Sequence, residues 1–66
     1  MRIVLNGEER EVADGVTVAE LLATLDVARR HVAVERNSEI VPRARHGATE
    51  VAEGDRIEIV TMVGGG

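Results

Sequence analysis

The sequence predicts an α+β domain in which one main helix packs across a mixed β-sheet of four to five strands. Three observations carry that expectation. Fifteen of the 66 residues are Val or Ile, a β-branched bias that favours strands. One stretch, Val18 to Leu25, shows the i, i+3, i+4, i+7 apolar spacing of a buried helix face. The first and last strand-like runs are the most densely apolar, which places them centrally and side by side. A chain of this length buries about 60% of its unfolded surface, enough for one modest core. That leaves little for the walls of a catalytic pocket.

The elements follow in order. Arg2 to Leu5 and Glu8 to Val12 flank Asn6-Gly7, the strongest short-range signal for a β-hairpin. Ala13-Asp14-Gly15 ends the second strand. Thr17 and Glu20 then have the spacing of a capping box, with Val16 and Leu21 placed to form the hydrophobic staple. The helix is expected from Val18 to Asp26, with Val18, Leu21, Leu22 and Leu25 facing the core. His31 to Glu35 reads as a third strand and Arg36-Asn37-Ser38 as a turn. Glu39 to Val41 reads as a short strand closed by Pro42, which suits a sheet edge. Residues 43–53 carry no clear period, and a helical turn or a loop is expected there. Glu53-Gly54-Asp55 turns the chain into a last strand, Arg56 to Met62. One helix on a mixed sheet in this order is the β-grasp arrangement. Residues 1–63 are expected to form a single domain, and 64–66 a flexible glycine tail.

Composition excludes several classes. Eight basic against twelve acidic residues give a net charge of −4, and no Phe, Trp or Tyr is present. Without aromatic platforms or excess positive charge, nucleic acid is not an expected partner. All eight basic residues are Arg, so no side-chain amine is available for a Schiff base. With no Cys there is no thiol nucleophile or disulfide, and the chain reads as a cytoplasmic domain without membrane association. His31 and His46 lack the spacing of a metal site, and they read as exposed or half-buried side chains. No catalytic residue, metal ligand or bound cofactor is expected.

The exception is the closing Val63-Gly64-Gly65-Gly66. Without a Cβ, glycine can thread a narrow channel in another protein and approach a nucleotide closely. Gly66 is the candidate for modification at its carboxylate, with Gly64 and Gly65 as spacers. A carboxylate must be activated before it can be attacked, typically as an acyl-adenylate. The domain then reads as the handle for a reactive end. On the last strand, Ile57 and Ile59 share one parity while Glu58, Val60 and Met62 share the other. With Val4 on that same outer face, an apolar patch of Val4, Val60 and Met62 is expected to lead to the tail and dock a partner.

Met1 to Glu8 (M-x-I-x-L-N-G-E), Thr17 to Leu22 (T-V-A-E-L-L) and Val32 to Asn37 (V-A-V-E-R-N) resemble the thiazole-synthesis sulfur carriers, the ThiS family. So do Ile40 to Arg43 (I-V-P-R), Gly54 to Val60 (G-D-x-I-E-I-V) and the terminal V-G-G-G. The resemblance runs the length of the chain. It implies a ubiquitin-like carrier of thiamine biosynthesis that is not itself an enzyme and is a monomer when free. A partner similar to ubiquitin-activating enzymes would use ATP to adenylate the Gly66 carboxylate. Sulfur drawn from cysteine through a desulfurase would convert it to a thiocarboxylate, and thiazole synthase would take that sulfur. Carriers for molybdopterin or for cysteine and methionine synthesis use the same kind of tail. A non-covalent β-grasp binding module is the alternative from a different class.

Overall fold

The computed structural model describes residues 1–26 and 31–61. Five strands and one α-helix follow one another in the described residues: β1 (Arg2–Leu5), β2 (Glu8–Glu11), α1 (Val18–Thr24), β3 (Val32–Arg36), β4 (Glu39–Val41) and β5 (Arg56–Thr61). A 3-10 turn, Arg43–Arg45, follows β4. The five strands form one sheet in the order β2-β1-β5-β3-β4. β1 and β5 run parallel at its centre, and the other neighbours are antiparallel. The mixed sheet with one helix and central terminal strands is therefore the arrangement that the sequence predicts.

Both hairpins turn on two residues. Asn6 and Gly7 take φ of 49° and 84°, and Asn37 and Ser38 take 52° and 73°. Positive φ at both positions matches the right-handed twist of the strands, and Asn and Gly adopt it at least cost. The strands are slightly offset from the sequence reading. β2 stops at Glu11, and β3 runs Val32–Arg36. β5 is described to Thr61, and Met62 lies outside the described residues.

The helix begins where its cap requires. Thr17 Oγ1 accepts from the Glu20 amide at 3.1 Å, and Glu20 Oε1 accepts from the Thr17 amide at 2.9 Å. It ends two residues sooner than expected, at Thr24. The chain has no glycine there, and Asp26 supplies the left-handed residue that ends it, at φ 58°. Asp tolerates that conformation better than most side chains. Val18, Leu21 and Leu22 are buried and Leu25 is half-buried against the core.

Residues 43–53 open with the Arg43–Arg45 3-10 turn, the helical turn that is one of the two expected forms, and then complete the start of α1. The carbonyls of Thr49 and His46 accept from the amides of Val18 and Ala19, both at 2.9 Å. With the capping box, every donor at the first turn is thereby satisfied. Val51, from the same segment, enters the core beside Ile3, Leu5, Val32, Val34, Val41 and Ile57. His46 departs from expectation, being only 1% exposed. Its Nε2 donates to the Val41 carbonyl at 3.1 Å, and its Nδ1 is buried with no partner. The imidazole joins the end of β4 to the segment that caps α1.

Leu22→Ala should cost about 2–5 kcal/mol, because the side chain is fully buried beneath the sheet. Thr17→Ala should cost about 1 kcal/mol through the lost cap. Denaturant unfolding measures both. Wild-type stability in Leu22→Ala would mean that the helix stripe is not core.

Candidate functional site

β5 has a different neighbour on each face. Ile57 is fully buried and Ile59 packs against the core from the inner face. Arg56, Glu58 and Val60 point outward and are exposed. Val60 is 57% exposed and lies opposite Ala33 on β3. Ile40 on β4, 63% exposed, lies opposite Glu35 on the same outer face. Ala33, Ile40 and Val60 thus form the apolar part of this face next to the end of β5. A second feature lies one pair along. Glu35 and Glu58 are directly opposed across β3 and β5. Like charges in that position disfavour the pairing. Neither forms an ion pair among the described residues.

The sequence-predicted site residues separate. Val4 is on the outer face but lies opposite Arg56. Val60 is four residues further along β5, about 13 Å away at strand spacing. The parallel register sets that offset. Val4 is half-buried, flanked by Glu9 opposite it on β2. Met62, Gly64, Gly65 and Gly66 lie outside the described residues. Ala33 and Ile40 were not singled out by the sequence reading, although the parity of β3 and β4 carries the signal for both. Among the described residues, no three His, Cys, Asp or Glu side chains are grouped as metal ligands. No described helix is long and apolar enough to cross a membrane.

A buried carboxylate fixes the other end of β5. Asp55 Oδ2 accepts from Arg36 Nε at 2.7 Å and from the Ala52 amide at 2.8 Å. Its Oδ1 accepts from Asn37 Nδ2 at 3.0 Å. Burial pushes the Asp55 carboxyl upward. The bonds from Arg36, the Ala52 amide and Asn37 outweigh burial and hold it below the usual aspartate range. Asn37 Oδ1 also accepts from the Arg56 amide at 2.9 Å. The turn between β3 and β4 is thus tied to the start of β5.

A capped helix on a five-stranded β-grasp sheet, whose central last strand leads into glycines, defines the class of small ubiquitin-like carrier domains. Residues 3–66 match the ThiS family, and the chain belongs to that family. It is 41% identical over 63 residues to the sulfur carrier protein ThiS of Bacillus subtilis, covering 94% of this chain and 96% of that one. It is 50% identical over all 66 residues to a thiazole synthase of Paramagnetospirillum magneticum. There the chain spans one fifth (20%) of the relative's length. The crystal structure of thiamine biosynthesis protein ThiS from Geobacter metallireducens superposes with a TM-score of 0.87 at 39% identity, covering both chains completely.

The Asp55 network sets an acid limit on the fold. A carboxyl held low in the folded state contributes stability above its unfolded pKa and loses it as pH falls through the folded one. Denaturation midpoints should therefore decline below about pH 4, the ordinary aspartate range. Asp55→Asn should be less stable at neutral pH and show a shallower acid decline. An unchanged acid slope in Asp55→Asn would assign the decline to other carboxyls.

Proposed function

We propose that this chain is the sulfur carrier of thiamine biosynthesis and acts as a co-substrate rather than an enzyme. The observation that carries the reading is the tail. Val63-Gly64-Gly65-Gly66 comes one residue, Met62, after the central strand of a ThiS-family β-grasp domain in the sequence. The reading requires Gly66 to hold a free carboxylate. An adenylating partner of the ubiquitin-activating type joins that carboxylate to the α-phosphate of ATP and releases pyrophosphate. A desulfurase draws sulfur from cysteine as a persulfide, a thiol reductant releases it at the sulfide level, and that sulfide attacks the acyl carbon. AMP leaves with the electron pair of the broken C–O bond, and the thiocarboxylate remains. Thiazole synthase takes the sulfur from it. ATP belongs to the partner, and the carrier holds no cofactor of its own.

The chemistry asks little of the domain except presentation. Gly64 and Gly65 act as spacers whose lack of side chains lets the chain lie in a narrow channel. Val60, Ala33 and Ile40 offer the apolar contact, with Met62 next in parity beyond Val60 and Val4 at the far margin. The opposed Glu35 and Glu58 favour a partner that brings an Arg or Lys between them. A cysteine-free chain suits the reducing cytoplasm, where a thiocarboxylate has no disulfide to attack. Carriers serving molybdopterin or cysteine and methionine synthesis share the tail, but membership in the ThiS family favours the thiazole pathway.

Intact-mass spectrometry tests the reading. The chain is incubated with an adenylating enzyme of thiamine biosynthesis, ATP and a sulfur donor. Wild type should gain one sulfur minus one oxygen. One residue added after Gly66 moves the reactive carbon by about 3.5 Å, so neither that extension nor a Gly66 deletion should convert. Equal conversion of all three would remove the Gly66 carboxylate from the mechanism.

A further inference from the structure

β1 and β5 pair over a short stretch. The register joins Val4 to Arg56 and Leu5 to Ile57, after which the Asn6-Gly7 turn carries the chain away. β5 continues past that point, with β3 on its other side as far as the Val32–Thr61 pair. On the β1 side, the odd-numbered residues of β5 present their backbone groups. The Asp55 carbonyl accepts from the Val4 amide, and the Ile57 carbonyl accepts from the Asn6 amide, both at 2.9 Å. Ile59 comes next in that series, where no backbone of β1 remains.

The Asn6 side chain supplies what is missing. Its Oδ1 accepts from the Ile59 amide at 2.8 Å, and its Nδ2 makes a longer contact of 3.4 Å with the Ile59 carbonyl. A primary amide carries both a donor and an acceptor, so it can stand in for one more residue of the neighbouring strand. Asp could offer only the acceptor, with its second oxygen facing a carbonyl. At φ 49°, Asn is also among the few side chains that tolerate the turn.

We propose that Asn6 is a positioning residue for the carrier: by bonding Ile59 it extends the β1 side of the sheet and fixes the end of β5, the strand that precedes the glycine tail in the sequence. This rests on the carrier reading above. Without the side chain, the Ile59 amide and carbonyl lose their partner on the β1 side, and the end of β5 samples more directions. A partner that engages only one of them then sees a smaller competent fraction, which weakens apparent affinity without altering the bound state. The effect falls on KM for the carrier and spares kcat.

Asn6→Gly isolates the side chain, because glycine accepts the positive φ and leaves the turn intact. ATP–pyrophosphate exchange by the adenylating enzyme is measured with wild type and Asn6→Gly as the varied substrate. Amide hydrogen exchange is read on both free proteins. The expected result is a KM raised about 3–10-fold at unchanged kcat, with faster exchange at Ile59 and none of the change at Ile3 or Leu22. An unchanged KM overturns the proposal. So does faster exchange throughout the core, which would make Asn6 a general stabiliser. Failure of wild type to support exchange at all would overturn the carrier reading, and the role of Asn6 with it, whatever the amide at Ile59 shows.

Discussion

β5 is held at the centre of the sheet by partners on both sides, and the rest of the structure follows from that constraint. It lies parallel to β1 and antiparallel to β3, neither of which borders its whole length with backbone alone. Two turn asparagines make up the difference. Asn37 takes the Arg56 amide at the start of the strand, and Asn6 takes the Ile59 amide near its end. Each is the first residue of a two-residue hairpin loop with positive φ. The same conformation that closes each hairpin turns an amide side chain toward β5. Asp55 then locks the Asn37 end through Arg36 and the Ala52 amide.

A strand held in this way can serve the core and a partner at once. Ile57, with Ile59 beside it, packs beneath α1, and helix burial sets the position of the backbone. Val60 and Glu58 stand on the opposite face, where their loss removes no core contact. The core contacts and the exposed face therefore belong to different side chains of one six-residue element. In the sequence, Met62, Val63 and the three glycines follow that same element.

Much of this was legible in the sequence wherever a local rule governs. Thr17 and Glu20 identified the helix start by their spacing, and Asn6-Gly7 identified the first hairpin. The end of the helix was less visible, because Asp26 performs a role that glycine usually signals. Residues 43–53 gave no periodic signal, since their work is to present the His46 and Thr49 carbonyls to the first amides of α1. That role depends on backbone atoms and leaves no side-chain pattern. The burial of His46 was hidden because the partner of its side chain is a backbone carbonyl, that of Val41. Strand parity put Val4 and Val60 on one face correctly. It could not show the offset between parallel strands, which sets Val4 beside Arg56 and gives Val60 the company of Ala33.

The central claim is that one face of the sheet recognises partners while the other holds the fold. An amide-resolved NMR titration of the isotopically labelled chain with the adenylating enzyme tests it most directly. Shifts and broadening should centre on Ala33, Glu35, Ile40, Glu58 and Val60 and continue into residues 62–66, with α1 left unperturbed. Perturbation centred on Val18–Thr24, with β3 and β5 silent, would contradict the account.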